Sequence, residues 1–337
     1  MTILFKVKFI INNKPKKYFY KVRREKMRKT KLFMLAIIGL SLAFAYNCKN
    51  ENYTGGGDET LNNTPRHLPQ ETNNHRAKIP AGTNIAFRDD FDGGPYPNSF
   101  WQLCWSNRVD RPMNAWTRYL NIADYECVRV EDSCLKLTAK KGDGTNFKTG
   151  GVWSLNNRYG IGTSLKVRAK LYRKGQEGKQ FNVPSAFPAI WYNELYSDWP
   201  KKGEIDLMEW VNISLDKPFS TIHYKTDGKN QKGEFTNGSI HSNNTVVDVS
   251  EWHVYSCDLY EDNVVIYYDD KEVFRYTNNG SNPYPFNTNH YVIILNASLQ
   301  KNWGTAVEKD SSELPYEMWV DWVEVSLIDK ITGQPIK

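Results

Sequence analysis

The segment Trp199-Pro-Lys-Lys-Gly-Glu-Ile-Asp-Leu-Met-Glu-Trp210 carries three acids within six residues. Successive side chains of a β-strand point to opposite faces, so Glu204 and Asp206 share one face and the apolar residue between them takes the other. Strict alternation would turn Glu209 away, whereas a β-bulge at Leu207–Met208 returns it to the face of the first two acids. Strands are depleted in Asp and Glu, and like charges on one face repel. The clustering therefore indicates a functional site, with solvated acids on an exposed edge strand as the structural alternative.

The rest of the chain beyond residue 79 repeats the period of about two that is typical of strands. Gly, Asn, Asp and Pro interrupt it at short intervals, and no 12-residue stretch shows a capped helical period. No repeat of 20–50 residues is present. These features predict one all-β domain over residues 79–337, built as a sandwich or barrel of short antiparallel strands. Clear examples of the alternation are residues 164–172, 263–270, 290–299 and 318–327.

The hexapeptide Glu204–Glu209 resembles the signature of glycoside hydrolase family 16 in its bulged form, E-[ILV]-D-x-x-E, and matches it at every position. The resemblance extends from about Ile85 to Leu327. One departure is Glu324, where the closing strand of the family usually has Arg. The flanking motifs that agree are Phe187-Pro-Ala-Ile-Trp191, Trp199-Pro-Lys-Lys-Gly203, Arg88-Asp-Asp-Phe-Asp-Gly93 and Val320-Asp-Trp-Val-Glu-Val325.

This resemblance implies a β-jelly-roll of two curved antiparallel sheets, with an open cleft across the concave face. It also implies endo-acting hydrolysis of a β-linked polysaccharide with retention of configuration. By the same resemblance, Glu204 is the nucleophile, Asp206 its supporting acid and Glu209 the general acid/base. Retention needs the two reacting carboxyl groups about 5–5.5 Å apart.

The resemblance also places several residues in or beside the cleft. Trp199 and Trp191 match positions that contact sugar, and His223 and Asn296 match positions that border the cleft. Tryptophan faces suit sugars because the apolar face of a pyranose stacks on the ring. Trp153 and Trp303 are further candidates for substrate binding, and for these residues a place in the core remains open as the alternative.

The flanking motifs are most similar to laminarinase-like members, which act on β-1,3- or mixed-linked β-glucan. The segments after Glu209 and after Asn296 depart from that pattern. An endo-β-galactosidase acting on host O-glycans, poly-N-acetyllactosamine or algal galactans is therefore the alternative. A non-catalytic glycan-binding lipoprotein is a third hypothesis, which the presence of both glutamates disfavours.

The net charge divides the chain into two unlike parts. The whole chain has 44 Lys+Arg, 38 Asp+Glu and a formal charge of +6, but residues 1–31 hold twelve of the basic residues and one acid. The remainder is mildly acidic, which argues against a nucleic-acid partner. A mean hydropathy of −0.63 excludes a polytopic membrane protein. With 11 Trp and 20 Tyr, the body has aromatic residues for a core, for a sugar-binding groove, or for both.

The basic run before an apolar segment at 32–45 predicts a secretory signal within residues 1–47, with Met27 as a possible true start. Cys48 resembles a lipidated cysteine, while Ala43-Phe44-Ala45 fits a cleavage site, and both outcomes stay open. Either predicts an exported protein: an outer-membrane or cell-surface lipoprotein, or a periplasmic or secreted enzyme. Residues 48–78 are too polar to fold and predict a flexible tether.

Few other partners are expected. The domain is predicted to act as a monomer on a polysaccharide, with no required cofactor and with membrane contact only through an N-terminal lipid. The family resemblance suggests a structural Ca²⁺ to which Asp321 could contribute, although calcium needs six to eight oxygens. Four cysteines in the body allow three disulfide connectivities or free buried thiols. They are Cys104, Cys127, Cys134 and Cys257.

Overall fold

The structure, a computed structural model, covers the predicted domain. Within the residues it describes, no helix is long and apolar enough to cross a membrane. The predicted leader with Met27, the candidate lipidation site Cys48 and the tether at 48–78 lie outside the described residues. The described residues are 79–104, 125–142, 147–154, 156–194, 199–229, 235–280, 283–300, 303–307 and 309–336.

Strands dominate the described part of the chain, as the period of two predicts. A 3-10 turn at Tyr125–Cys127 precedes the third strand. The strands are β1 Ile85–Asp89, β2 Gln102–Leu103, β3 Val128–Glu131, β4 Cys134–Lys141, β5 Phe147–Trp153, β6 Thr163–Tyr172, β7 Ala186–Asn193, β8 Glu204–Glu209, β9 Phe219–Lys229, β10 Phe235–Ser242, β11 His253–Leu259, β12 Asn263–Tyr268, β13 Lys271–Thr277, β14 Val292–Leu299 and β15 Tyr316–Leu327.

Every pairing between these described strands is antiparallel, and the strand order is β10-β9-β8-β7-β14-β5-β4-β15-β6-β11-β12-β13. Strand β1 pairs with β15, β2 with β5 and β3 with β4. The all-β jelly-roll of curved antiparallel sheets is thereby confirmed. Its first half, from β10 to β5, carries the acidic strand β8 in the interior of a sheet.

The core forms where the apolar faces of the strands meet. In β6 the buried positions alternate with Lys and Arg, so Leu165 and Val167 point inward while Lys166 and Arg168 point outward. Strand β14 is buried along its whole length. Burial of apolar surface at about 25 cal/mol per Å² is the main force that holds the sheets together. Much of the aromatic content serves this core: the largest fully buried side chains include Trp101, Trp153, Trp210, Tyr192, Tyr255, Tyr291 and Tyr316.

Other tryptophans lie on the outer surface of the β4-β15-β6-β11 sheet and are already covered by cations. The Lys170 ammonium lies 4.9 Å from the ring of Trp252 and 4.8 Å from the ring of Trp319. Arg168 lies 4.8 Å from Trp252. Such cation–π contacts are worth about 0.5–1 kcal/mol each at exposed sites. The high Trp count is therefore divided between the core, this outer surface and the region around β8.

The unusual Glu324 of the closing strand has a partner on the opening strand. Arg88 lies opposite Glu324 in the β1–β15 pair, and its guanidinium binds Glu324 Oε2 at 2.8 Å and Asp90 Oδ1 at 2.7 Å. The same guanidinium stacks on Trp322 at 4.6 Å. The acid at position 324 thus matches a local cation and forms an ion pair between the two strands.

Asp321 does not fit the suggested calcium site. Its carboxylate is bound by the guanidinium of Arg168 on the neighbouring strand β6. A calcium ion would have to displace that cation and gather six to eight oxygens around it. Arginine already supplies the positive charge at this point, so we derive no role for calcium from Asp321.

The four cysteines of the body are thiols that form no disulfide with one another. Each of the four side chains is buried. Free cysteine behaves as a small hydrophobic residue in such surroundings. Of the alternatives left open by the sequence, the structure shows buried thiols rather than a disulfide framework. The four are Cys104, Cys127, Cys134 and Cys257.

Candidate active site

The acidic strand β8 lies between β7 and β9 and contains the predicted bulge. Trp191 of β7 pairs with Asp206, while the adjacent Ile190 pairs with Met208, so Leu207 is an extra residue on β8. The register with β9 shifts over the same segment. An extra residue rotates the following side chains to the other face. The bulge therefore places the last acid of the strand on the same face as the first two.

The opposite face of β8 is apolar and fixes the strand in the core. Ile205, Leu207 and Met208 are almost completely buried in the main core cluster. The three acids point away from that cluster, toward side chains of the neighbouring strands. Their partners across the β8–β9 pair are His223 for Glu204, Thr221 for Asp206 and Phe219 for Glu209.

The turn before β8 has a conformation that depends on glycine. Gly203 has φ of +84°, which L side chains rarely adopt, and a Cβ atom there would lie 2.6 Å from the ring of Phe286. The hydroxyl of Tyr291 donates a 2.6 Å hydrogen bond to the carbonyl of Lys202. These contacts fix the direction in which the chain enters β8, and with it the position of Glu204.

Glu204 is held by two donors on the same oxygen. The amide of Asn193 donates to Glu204 Oε2, and the indole N–H of Trp199 donates to that oxygen at 3.0 Å. The other oxygen, Oε1, lies 3.7 Å from His223 Nε2. The N–H groups of an amide and of an indole can only donate a hydrogen bond. These two contacts therefore favour the ionised form of the Glu204 carboxylate.

Asp206 is the most enclosed of the three acids, at 3% exposed. Its Oδ2 atom lies 3.4 Å from His223 Nε2, and it makes no hydrogen bond within the described part of the chain. Most buried polar atoms are hydrogen-bonded. A buried carboxylate oxygen without such a partner indicates a site where a group from outside the folded chain supplies the missing contact.

Glu209 has a hydroxyl partner instead of obligate donors. Thr221 Oγ1 donates to Glu209 Oε2 at 2.8 Å, and a hydroxyl can also accept a hydrogen bond from a protonated carboxyl. An aromatic group borders this end of the site. Trp303 lies 5.7 Å from Phe187 and 4.9 Å from Phe219, measured between ring centroids.

Burial and repulsion from Asp206 raise the pKa of both glutamates. Burial raises the pKa of Glu204 to about 8 and like-charge repulsion from Asp206 adds to the rise, while nearby His223 and the Trp199 hydrogen bond oppose it. Burial and Asp206 likewise raise the pKa of Glu209 to about 8, opposed by His223 and the Thr221 hydrogen bond. The pKa of Asp206 is raised by burial as well.

Groups that interact this closely titrate together, so the cluster retains protons at neutral pH. The two obligate donors on Glu204 Oε2 favour placing negative charge on that carboxylate. The hydroxyl beside Glu209 is compatible with either protonation state. The arrangement therefore pairs a carboxylate that is able to attack with a carboxyl that is able to give up a proton.

Two predicted sugar contacts lie where a ligand can reach them. Trp199 is 39% exposed, and its ring centroid lies 5.5 Å from that of His223. The His223 side chain is 26% exposed and faces both Glu204 and Asp206. Trp199 is thus both an open aromatic surface and a hydrogen-bond donor to the site.

Trp191 and Asn296 bind each other. The indole N–H of Trp191 donates to Asn296 Oδ1 at 2.7 Å, and the Asn296 amide donates to Ser298 Oγ at 3.0 Å. Trp191 is 8% exposed and Asn296 is 1% exposed. Direct contact of Asn296 with substrate is therefore a wrong prediction, because the amide is enclosed and its hydrogen bonds hold the Trp191 ring.

The structure separates the remaining tryptophan candidates. Trp153 is completely buried, so the prediction that it contacts substrate is wrong; the cross-strand register through Ile294 and Trp191 places it on the sheet face of Asp206, but beneath the surface. Trp303 is half-buried against Phe187 and Phe219, close to the Glu209 end of β8.

Sequence reasoning missed Asn193 and Thr221. Asn193 lies two residues after Trp191, and Thr221 lies two residues before His223. In strands, residues two apart share a face. That alternation is the signal that could have found both, once β7 and β9 were recognised as the neighbours of β8.

The family assignment rests on a match over most of the described domain. Residues 117–323 match the sequence profile of glycosyl hydrolases family 16. That match covers more than half of the chain. The chain belongs to glycosyl hydrolase family 16. This family 16 member is a glycoside hydrolase of the endo-acting kind, and its acidic strand β8 lies inside the matched region.

Relatives of this family 16 chain act on different glycans. It is 26% identical over 322 residues to a keratan-sulfate endo-1,4-β-galactosidase of Sphingobacterium multivorum, covering 89% of this chain and 68% of the relative. It is 26% identical over 269 residues to glucan endo-1,3-β-glucosidase A1 of Niallia circulans, covering 73% of this chain and 38% of the relative. The second relative is thus much longer than the shared region.

A solved structure is more similar in sequence. It comes from work on endo-acting O-glycanases that prominent members of the human gut microbiota express to initiate mucin breakdown. The identity is 37%, the TM-score is 0.61, and the match covers 73% of this chain and 100% of that chain.

Proposed function

We propose that this enzyme hydrolyses a β-linked glycan by double displacement, with Glu204 as nucleophile and Glu209 as general acid/base. The observation that carries the assignment is the unequal hydrogen bonding of the two acids. Glu204 accepts from Asn193 and Trp199, whereas Glu209 has the Thr221 hydroxyl. Donors that stabilise a carboxylate suit a nucleophile, whereas a hydroxyl partner also accommodates the protonated carboxyl that a general acid needs.

In the first step a Glu204 oxygen attacks the anomeric carbon and forms a glycosyl ester. The bond from that carbon to the glycosidic oxygen breaks, and Glu209 gives its proton to the departing oxygen. In the second step Glu209, now a carboxylate, takes a proton from water. The resulting hydroxide oxygen attacks the anomeric carbon and releases Glu204. Two inversions give net retention.

Asp206 lies between the two glutamates and acts on both. Like-charge repulsion from Asp206 contributes to the raised pKa of Glu204 and of Glu209. As the nucleophile becomes an ester and loses its charge, that repulsion is relieved. Asp206 therefore favours the proton on Glu209 at the start of the reaction.

The first substrate class we propose is β-1,3- or mixed-linked β-glucan. The laminarinase-like motifs around β8 and the similarity to the glucan endo-1,3-β-glucosidase of Niallia circulans support it. The exposed Trp199 ring beside the proposed nucleophile supplies a stacking surface for a flat pyranose.

The second class is the β-galactosidic linkage of host O-glycans, poly-N-acetyllactosamine or algal galactans. A specific observation supports it: 37% identity to the O-glycanase structure that is fully covered by this chain. The 26% identity to a keratan-sulfate endo-β-galactosidase over 89% of this chain adds to that support.

A panel of purified glycans tests both classes. Release of reducing ends and product sizes are measured on laminarin, lichenan, agarose, porphyran, keratan and mucin O-glycans. Internal cleavage of laminarin or lichenan supports the first class, and cleavage of galactans or mucin glycans alone replaces it with the second. Glu204→Gln serves as the matched inactive control, and unchanged activity in that variant would contradict the mechanism.

We also propose that the enzyme is exported and works as a monomer outside the cytoplasm. The support is the basic and apolar pattern of the leader, with Cys48 as the candidate lipid attachment site. Fractionation of cells that express the full chain and Cys48→Ala tests this. Loss of membrane association in the variant supports a lipid anchor, and unchanged partition contradicts it.

A further inference from the structure

Three potential metal ligands converge beside the exposed indole of Trp199. Glu204 Oε1, Asp206 Oδ2 and His223 Nε2 all lie within 4.8 Å of one another. His223 Nε2 is 3.7 Å from the Glu204 oxygen and 3.4 Å from the Asp206 oxygen. Two carboxylates and one imidazole thus surround a single point at the start of β8.

The spacing of these atoms fits a small four-coordinate cation. Zinc bound to nitrogen and oxygen at about 2.0–2.1 Å in a tetrahedron separates its ligands by roughly 3.3–3.4 Å. The two distances from His223 Nε2 lie within a few tenths of an ångström of that edge. The third edge, between Glu204 Oε1 and Asp206 Oδ2, is within 4.8 Å, so a bound cation would have to hold these two carboxylate oxygens at the tetrahedral spacing.

Asp206 gives a second, independent indication. Its Oδ2 atom is buried and accepts no hydrogen bond from any described residue, although the side chain is only 4% exposed. That oxygen faces His223. An unsatisfied buried carboxylate oxygen is costly, and a coordinated cation would satisfy it.

Access and charge also favour a cation. The side chains of His223 and Glu204 are 26% and 13% exposed, so a dissolved ion and a water as fourth ligand can enter. Among the described residues, His223 is the basic group that pairs with Glu204 and Asp206. No lysine or arginine of the described chain forms an ion pair with either acid.

The ligand types select the class of metal. A mixture of imidazole nitrogen and carboxylate oxygen suits zinc and copper, whereas calcium and magnesium prefer oxygen ligands alone. Three protein ligands with an open fourth position are also the ligand number of an accessible zinc site. We therefore choose Zn²⁺ as the probe.

We propose that Glu204, Asp206 and His223 form a reversible Zn²⁺ site that inhibits the enzyme. Coordination uses the electron pair of Glu204 Oε1 and places a cation where the sugar must approach, so zinc and substrate exclude each other. No bond of the substrate forms or breaks in this state. The inhibition rests on the proposed function of Glu204, whereas the binding does not.

Calorimetry on the full chain tests the binding without any substrate. We expect one Zn²⁺ to bind wild type and Glu209→Gln with similar affinity, in the micromolar range, and Ca²⁺ and Mg²⁺ not to bind there. His223→Gln should weaken zinc binding at least tenfold. His253→Gln is the matched control, because that imidazole pairs with Asp269 on another part of the domain, and it should leave binding unchanged.

Hydrolysis of the best glycan from the panel is then measured with increasing Zn²⁺. Competitive inhibition that a chelator reverses, and that His223→Gln weakens in parallel with binding, supports the proposal. Equal zinc affinity in wild type and His223→Gln would overturn the site, provided that thermal denaturation shows both proteins to be folded. Site-specific binding with undiminished hydrolysis would overturn the inhibition and the nucleophile assignment, and would leave the metal site supported.

Discussion

The indole N–H of Trp199 donates a 3.0 Å hydrogen bond to Oε2 of Glu204. The same indole is 39% exposed. One side chain thus offers a surface to the ligand and stabilises the charged form of the proposed nucleophile. A hydrogen bond to a charged group is worth about 1.5–3 kcal/mol, which makes this contact accessible to measurement.

Trp199→Phe keeps an aromatic ring and removes the donor. We expect kcat/KM to fall about tenfold or more, since each 1.36 kcal/mol corresponds to a factor of ten. The Trp199 hydrogen bond lowers the pKa of Glu204, so its loss should move the acidic limb of the pH–rate profile to higher pH. Trp322→Phe on the outer sheet is the control, and an identical shift there would contradict the assignment.

Thr221→Val removes the hydroxyl that contacts Glu209. That hydrogen bond lowers the pKa of Glu209, which burial raises to about 8. Without it the pKa should rise further, and the alkaline limb, where the proton donor is lost, should move to higher pH. Thr221→Ser retains a hydroxyl and should keep the wild-type limb. A limb unmoved in Thr221→Val would show that another group supplies the proton.

Asp206→Asn should lower the activity of the enzyme and raise its stability at alkaline pH. Burial raises the pKa of Asp206 above its ordinary value, so the folded state binds this proton more tightly than the unfolded state. The free energy of unfolding must then fall as the pH rises above the ordinary Asp pKa of about 4.

The amide cannot ionise and escapes this loss. We expect Asp206→Asn to have a higher Tm than wild type near pH 8, a Tm difference that shrinks toward pH 4, and a much lower kcat. Thermal denaturation across this pH range measures the difference. A Tm below that of wild type at pH 8 would contradict the proposed cost of burying this acid.

Gly203→Ala tests how the chain enters β8. A Cβ atom at Gly203 would lie 2.6 Å from the Phe286 ring, and φ is +84°. Gly280 has a similar φ of +75° with nothing within 4 Å of its Cβ position. Gly280→Ala therefore reports the backbone cost alone, about 1–2 kcal/mol.

We expect Gly203→Ala to lose more stability than Gly280→Ala, and to lose activity because Glu204 is displaced. Chemical denaturation and kcat/KM measure the two effects. Equal losses of stability in both variants, with full activity, would show that the turn does not position the nucleophile.

The period of two was enough to predict the all-β fold, and the spacing of the acids was enough to predict the bulge at Leu207–Met208. Both depend on local geometry, which a single strand determines. The positions of Asn193 and Thr221 beside the acids depend on which strands flank β8 and on the register of those strands. Strand order and register are set by the whole sheet, not by a single strand.

The same limit explains the wrong predictions. Trp153 and Trp199 are alike in type, but the first is completely buried and the second is exposed just before the start of β8. Asn296 matched a strand beside the cleft, yet its amide binds Trp191. The Asp321 carboxylate is bound by Arg168 of the neighbouring strand, a partner that its own strand does not reveal. In each case a partner distant in sequence decides the role.

The central claim is that Glu204 forms a covalent glycosyl ester while Glu209 supplies and recovers the proton. It is tested most directly by mass spectrometry of Glu209→Gln after reaction with a dinitrophenyl glycoside of the cleaved repeat unit, since that leaving group departs without an acid. The account predicts a sugar adduct on the peptide that contains Glu204, and its absence in Glu204→Gln. An adduct on another residue, or turnover without any adduct and with inversion at the anomeric carbon, would contradict it.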